Sequence, residues 1–153
     1  MKSKDRQLLL IDLCGRLPYE VKGLHRGETQ RLLIMDSFGS YQVNGYDAWF
    51  DLNSVIFKPY LRPMSSMTDK EKKDLLNYVV GKGSKYFEVC DDVSITDKSS
   101  DVQDLKSFEL KWINFNPNTT SRYIEWLLKK HFDFCDLIPK NLALSAPEGM
   151  YKI

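Results

Sequence analysis

The sequence is poor in the residues from which catalytic and metal sites are usually built. It contains only two histidines and three cysteines, at positions His25, His131, Cys14, Cys90 and Cys135. The cysteines are odd in number, widely spaced and free of any CxxC pair, so they encode neither a disulfide framework nor a zinc site. We interpret them as reduced thiols, two of them packed. The eight glycines are scattered and form neither GxxxxGK[ST] nor GxGxxG, which excludes the usual phosphate-binding loops.

Few candidates for chemistry remain. Cys135 with His131, and Cys14 with His25, are possible nucleophile and base pairs, but they rest on residue type alone. A buried thiol is the preferred interpretation of Cys135, and a structural role at a helix end is the preferred one for His131. The sequence therefore favours a protein that is not an enzyme, and we expect no catalytic residue, no metal and no cofactor.

No sign of charge dominates. Lys and Arg number 22 against 21 Asp and Glu, so the chain lacks the basic surplus that broad binding to DNA or RNA requires. The distribution is uneven, with a basic excess in residues 1–27 and an acidic excess in residues 85–109. Asp91 and Asp92 lie in the acidic run, which is either a solvated surface or a contact for a basic partner. Its aspartates lack the calcium-loop spacing.

Long apolar runs are also missing. The run "LLLI" at 8–11 is cut by Asp12, and nowhere do about 18 apolar residues follow one another, so we expect no signal peptide and no membrane span. Apolar residues make up 42% of the chain and charged residues 28%, as in ordinary soluble proteins. We expect one cytoplasmic domain over residues 1–153, with residues 82–107 as an acidic surface loop.

What is present indicates an α+β fold, a small antiparallel sheet with about three helices packed on it. Apolar residues at helical spacing predict a helix over 4–14, capped by Ser3 and stopped by Pro18, with a strand over 8–13 as the rival. Its apolar face is predicted to hold Leu9, Leu10, Leu13 and Cys14.

Residues 20–52 have the pattern of a meander of three or four antiparallel strands. Asn44-Gly45 predicts a hairpin with a type I′ turn, and His25-Arg26-Gly27-Glu28 predicts the preceding turn. The apolar run Leu32 to Met35 does not alternate, which suggests a strand covered on both faces.

Further along the chain, Thr68 and Glu71 form a capping box that begins a second helix. "SFELKWINF" at 107–115 alternates as a half-buried strand does. A final helix is predicted over residues 120–131, followed by an ordered apolar tail that wraps the core. One helical turn is expected at 101–107.

The segment Lys58 to Pro63, "KPYLRP", is the strongest candidate for a recognition surface. Its two prolines restrict the backbone to an extended form, so it is a rigid strap that presents alternate side chains at low entropic cost. The partner-binding candidates are Lys58, Tyr60 and Arg62 of this strap, with Asp91 and Asp92 of the acidic run. The alternative is that Tyr60 and Leu61 only fill the core, and both interpretations stay open.

Four stretches carry a resemblance: "LPYEVKG" (17–23), "KPYLRPMSSMT" (58–68), "IEWLLKKHFDF" (124–134) and "LIPKNLALSAPEGMY" (137–151). They resemble a family of short uncharacterised proteins of phages and prophages of Bacteroides-group gut bacteria. The family has no settled activity, so no catalytic residue is carried over. The resemblance implies a phage or mobile-element accessory protein that acts in the bacterial cytoplasm.

These observations favour a non-enzymatic accessory protein that acts by protein–protein interaction. Its partner would be a host or phage protein, such as a host defence complex that it inhibits. The first alternative is a nucleic-acid-associated protein that uses the N-terminal basic residues with Lys58, Tyr60 and Arg62. The second is an enzyme with no recognisable motif.

Overall fold

The computed structural model describes residues 2–80, 87–89, 95–97, 104–105 and 117–151. The chain forms two compact units, Met1–Met64 with Leu127–Ile153, and Ser65–Trp126. Over these residues the architecture is α+β, with a six-stranded and mostly antiparallel sheet and three α-helices, as the sequence predicts. The expectation of a single domain stays a prediction.

The elements follow one another in this order: α1 (Ser3–Arg16), β1 (Lys22–His25), β2 (Glu28–Met35), β3 (Ser40–Val43), β4 (Phe50–Asp51), β5 (Lys58–Leu61), α2 (Asp69–Val80), β6 (Phe87–Val89), β7 (Ile95–Asp97), β8 (Asp104–Leu105), α3 (Pro117–Lys129) and β9 (Leu144–Ser145). The first unit holds the six-stranded sheet, in the order β4-β3-β2-β1-β5-β9. The predicted meander is confirmed as β1 to β4, and β9 joins β5 as a parallel strand.

The turn with two positive φ values lies at Arg26-Gly27, and not at Asn44-Gly45 where it was predicted. Arg26 and Gly27 have φ of 51° and 86°, the positive pair that a type I′ turn needs, and they join the paired residues His25 and Glu28. At Asn44-Gly45 only Gly45 has a positive φ, so the type I′ prediction there is wrong. The reason is the register, because β3 and β4 pair at Tyr41 and Phe50 and the connection is too long for a two-residue turn.

The apolar run in β2 is not covered on both faces, so that prediction is also wrong. Leu32 and Met35 are buried, while Leu33 and Ile34 are 45% and 46% exposed. A shift in the β2–β3 register between Leu32 and Ile34 explains the pattern, because a β-bulge inserts one residue and resets the alternation.

The helix α1 covers one face of this sheet, and the rival strand over 8–13 is wrong. Leu9 and Leu13 are fully buried in the core that the sheet contributes to. Two details differ from prediction. Lys2 rather than Ser3 is the N-cap, without a side-chain bond, and Cys14 is exposed. The core cluster contains Leu9, Leu13, Val21, Leu32, Met35, Tyr41, Val43, Leu52, Phe57, Leu61, Leu137, Leu142 and Ala143.

Asp12 and Arg16 of α1 form a buried ion pair, although the sequence did not assign either residue to the core. Arg16 Nε lies 2.6 Å from Asp12 Oδ2, and both side chains are fully buried. Arg16 Nη2 also donates to the carbonyl oxygen of Phe132 at 2.8 Å. The pair therefore fixes α1 to the tail of the chain.

The apolar tail after α3 is ordered and packs in the core, as predicted. Phe132 and Leu137 are fully buried. The Asp133 carboxylate accepts hydrogen bonds from the amides of Leu137 and Ile138 at 2.7 and 2.8 Å. These bonds satisfy a polar group that is itself buried, as interiors require.

In the second unit, α2 begins with the predicted capping box. The Thr68 amide donates to Glu71 Oε2 at 3.0 Å, and the Glu71 amide donates to Thr68 Oγ1 at 3.3 Å. Leu75, Leu76 and Val79 form its buried face, and Tyr78 is 39% exposed.

Parts of the predicted acidic loop are strands. β6, β7 and β8 form a three-stranded antiparallel sheet, and β8 at Asp104–Leu105 replaces the expected helical turn. Phenylalanine, valine, isoleucine and threonine in these pieces suit a pleated strand. Asp91, Asp92 and the predicted strand at 107–115 lie outside the described residues.

The predicted third helix is confirmed as α3, with shifted ends. It ends at Lys129, and His131 follows with a φ of 58°, in the left-handed region that often ends helices. Arg122, Glu125 and Lys129 are exposed as expected. Ile124, expected on the packed side, is 38% exposed.

Candidate functional site

The strap that the sequence singled out is the strand β5. Pro59 and Leu61 are buried, whereas Lys58 and Tyr60 are only half-buried, because successive side chains of a strand point to opposite faces. The core-filling interpretation is therefore right for Leu61. Tyr60 lies on the other face of the sheet, which we call the outer face.

The Tyr60 side chain extends across the outer face. Its hydroxyl lies 3.5 Å from Thr29 Oγ1, which belongs to β2, two strands away. The strand between them is β1, in which Leu24 pairs with both Thr29 and Lys58. The phenol ring therefore spans β1. The backbone carbonyl oxygen of Tyr60 accepts a hydrogen bond from the Tyr151 hydroxyl at 2.9 Å, and this bond holds β5 in place.

Three cations lie on the same three adjacent strands that this ring spans. Lys22 pairs with Arg31 in the β1–β2 register, and Lys58 is next to Leu24 on β5. We call Lys22, Arg31 and Lys58 the cationic half of the outer face. Arg31 bonds to Glu20 at 2.9 Å, with both side chains largely exposed. Lys58 Nζ donates to Asn141 Oδ1 at 2.8 Å.

Exposed apolar side chains continue the same face toward the other edge of the sheet. Leu33 and Ile34 of β2 are nearly half exposed, and Trp49 is 53% exposed. Trp49 immediately precedes β4, whose Phe50 ring packs inward on His25 at 4.5 Å between centroids, and we group the exposed Trp49 with the outer face on its exposure. We call Leu33, Ile34 and Trp49 the apolar row. Sequence reasoning missed the exposure of Leu33 and Ile34, because that exposure follows from the bulge.

Arg62, the third strap candidate, is engaged with the tail. Its guanidinium lies 4.3 Å from the centroid of the Phe132 ring. Its amide donates to the His131 carbonyl oxygen, and its own carbonyl oxygen accepts from the Asp133 amide, both at 2.8 Å. These contacts give Arg62 a structural role that the sequence did not indicate. Asp91 and Asp92 cannot be placed beside it, since they lie outside the described residues.

His25 is a buried side chain with a defined tautomer. The Tyr41 hydroxyl donates to the Val55 carbonyl oxygen at 2.8 Å, so His25 Nδ1, 3.1 Å from the same hydroxyl, must be the donor in their bond. Burial, followed by the charge of Arg26, lowers the pKa of His25. The imidazole is neutral at pH 7, and its Nε2 atom has no hydrogen-bond partner.

His131 is buried in the same unit against an aromatic ring. Its imidazole stacks on Tyr151, with 3.7 Å between the centroids and 14° between the planes. Burial and then the charge of Arg16 lower the pKa of His131 to about 4. Burial raises the pKa of Tyr151 to about 12. Both groups are therefore neutral at pH 7, and their contact is a packing contact.

The proposed cysteine and histidine pairs find no support in this arrangement. Burial and the charge of Asp12 raise the pKa of the Cys135 thiol, and burial with Asp36 raises that of Cys14. A raised pKa disfavours the thiolate that a nucleophile needs. Cys135 is half-buried rather than fully buried.

The described residues contain neither a metal-ligand cluster nor a membrane-spanning helix. Within residues 2–80, the short strands and 117–151, no three His, Cys, Asp or Glu side chains are grouped to hold a metal ion. In that same part of the chain, no helix is long and apolar enough to cross a membrane.

Comparison with known proteins adds no relative. No protein-family model matches the chain, and neither a curated protein nor a solved structure shows significant similarity to it. The function of the outer face therefore has to be inferred from its own residues.

Proposed function

We propose that this chain is a non-enzymatic interaction protein that binds a partner protein through the outer face of its six-stranded sheet. The observation that carries the proposal is the apolar row, three large apolar side chains that are each about half exposed, two of them on β2. The opposite face of the same strands is buried in the core. The phage-family resemblance favours a host or phage protein as partner, and inhibition of a host defence complex in the bacterial cytoplasm as the outcome.

The composition of the face suits such a contact. Tryptophan, tyrosine and arginine contribute most to binding energy in measured interfaces. The outer face presents one of each, in Trp49, Tyr60 and Arg31.

A nucleic-acid-associated function is the second candidate, because the cationic half lies next to an aromatic ring. Proteins that bind single strands combine such cations with stacked aromatic rings. The apolar row next to it has no comparable use on a phosphate backbone. With a net charge of +1, the whole chain also provides little electrostatic attraction. A protein partner is therefore the better match. An enzyme without a recognisable motif is the third candidate, and no observation favours it.

The test is the recovery of a partner from native cells by variants of the face. We expect Ile34→Lys and Trp49→Ala to lose a stoichiometric protein that the unaltered chain retains. The matched control is Ile11→Lys, since Ile11 is 63% exposed and belongs to α1, on the other side of the sheet. Thermal melting of each variant shows that the fold is intact.

Two results would contradict the proposal. In one, Ile34→Lys and Trp49→Ala retain the same partner as the control. In the other, the purified chain carries nucleic acid, visible as excess absorbance at 260 nm, and no protein.

A further inference from the structure

We infer that the partner meets this face through a segment that is both acidic and apolar. Its carboxylates lie against the cationic half, and its apolar side chains lie against the apolar row. The inference rests on the proposed function and adds the chemistry of the occupant.

The two parts of the face are continuous. Arg31 and Leu33 are both exposed residues of β2 and are separated by the buried Leu32. Lys22 is opposite Arg31 on β1. Neighbouring strands are about 4.8 Å apart, so the cations lie within the reach of one extended segment. A single occupant can therefore contact both parts.

The charge of the face is complementary to an acidic segment. Lys22, Arg31 and Lys58 are on three adjacent strands, and among the described ion pairs only Glu20 with Arg31 involves them. That pair is exposed, and exposed pairs contribute little. Arg31 can therefore exchange Glu20 for a carboxylate of the partner at little cost. Arginine binds carboxylates with two parallel hydrogen bonds when the geometry allows.

The apolar row distinguishes a protein segment from a nucleic acid. Leucine and isoleucine gain by burial against other apolar side chains, which a sugar–phosphate backbone does not supply. Tyr60, the aromatic ring next to these cations, is held across β1 with its hydroxyl near Thr29. A protein segment in which acidic and apolar side chains alternate can contact both the cationic half and the apolar row.

The experiment is a titration of the isotope-labelled full chain, followed by the NMR shifts of its backbone amides. Three probes are compared: a peptide of alternating Glu and Leu, the matched peptide of Gln and Leu, and oligothymidylate. We expect the Glu–Leu peptide to shift amides of β1, β2 and β5, and to bind about tenfold more tightly than the Gln–Leu peptide at low salt.

Charge reversal gives the matched comparison. The double variant Lys22→Glu, Lys58→Glu should lose that preference for the acidic peptide. Lys4→Glu is the control, because Lys4 is an exposed lysine of α1 and should keep the preference. Rising salt should weaken binding of the Glu–Leu peptide and leave the Gln–Leu peptide nearly unchanged.

Three results would overturn the inference. It fails if the peptides shift no outer-face amide, or if the two peptides bind equally. It also fails if oligothymidylate shifts the same amides at lower concentration, which would assign the face to nucleic acid. Partner recovery separates the two proposals. A partner kept by the lysine variant but lost by Ile34→Lys refutes the acidic segment alone, whereas a partner kept by both refutes the proposed function too.

Discussion

The two faces of the six-stranded sheet are built from alternate residues of the same strands, yet they differ in almost every property. In β5, Pro59 and Leu61 belong to the buried face, and Lys58 and Tyr60 to the outer one. The buried face is closed by α1 and by the tail. The outer face exposes cations and large apolar groups. The difference teaches that neighbouring residues of one short strap have opposite environments, with Leu61 in the core and Tyr60 on the outer face.

The buried face is not purely apolar, and this sharpens the comparison. His25 of β1 belongs to it, and the Asp12–Arg16 pair of α1 and His131 after α3 are buried in the same unit. Polar groups cost most where they lose their partners in a low dielectric. The largest effects of substitution should therefore come from the buried polar groups of this unit, and the smallest from apolar groups of the outer face.

The largest effect is expected from Asp12→Ala. The change leaves the Arg16 guanidinium buried without its counter-ion, which costs about 3–5 kcal/mol of unfolding free energy. Urea denaturation followed by circular dichroism measures the loss. Glu20→Ala is the control, because it removes an exposed pair worth at most about 1 kcal/mol. Similar losses from both changes would remove the distinction between the faces.

The next effect compares two neighbours in β5. Leu61 is fully buried, so Leu61→Ala should cost about 2–5 kcal/mol through lost contacts and a cavity. Tyr60→Ala should cost about 1 kcal/mol or less, since Tyr60 is half-buried on the outer face. The melting temperatures of the two variants measure the difference. Under the proposed function only Tyr60→Ala weakens partner binding while the fold stays intact, and a reversed order of stability would show that Tyr60 fills the core.

A smaller loss of stability is expected when the pH is lowered. The pKa of His131 falls from 6.5 to about 4 on folding, so the unfolded chain binds more protons and stability drops as pH falls below about 6.5. The loss between pH 7 and 5 should be about 2 kcal/mol. The lowered pKa of His25 acts in the same direction.

Urea denaturation at both pH values measures this acid effect. His131→Phe keeps a ring against Tyr151 and cannot be protonated, so its stability should depend less on pH. An undiminished slope in that variant would assign the acid sensitivity to other groups. The charges that oppose protonation of His131 are Arg16, Arg62 and Lys22, and the backbone of Tyr19 favours it.

The smallest effect is expected from Ile34→Thr. Ile34 is 46% exposed on the outer face, and threonine keeps the β-branched shape that strands favour. The unfolding free energy should change by no more than about 0.5 kcal/mol. Chemical denaturation measures it, and a loss near that of Leu61→Ala would show that the apolar row belongs to the core.

Much of the fold is predictable because its signals are local. The capping box at Thr68, the helix over 4–14, the strands of the meander and the ordered tail each follow from a few adjacent residues. The bulge at Leu33 is not local, since it depends on how β2 meets β3. The burial of Asp12 and Arg16 depends on the tail, more than a hundred residues away.

The residues of the candidate site also include some that the sequence predicts and some that it does not. Lys58 and Tyr60 were found because prolines mark their strap in the sequence. Arg31 was missed, and Lys22 was included only as one of the N-terminal basic residues, because only the strand register places these two beside Tyr60. A cation in a strand has no sequence signal that tells which distant residue it will neighbour.

The parallel pairing of β9 with β5 has a consequence for the speed of folding. The Lys22 amide donates to the Tyr151 hydroxyl across a separation of 129 residues, and Ser145 pairs with Leu61. Contacts between such distant residues form late, because chain entropy must be lost before they are gained. The meander can assemble from near neighbours, but the sixth strand has to wait for the tail. We therefore expect the edge strand β9 to be the last part of this sheet to form.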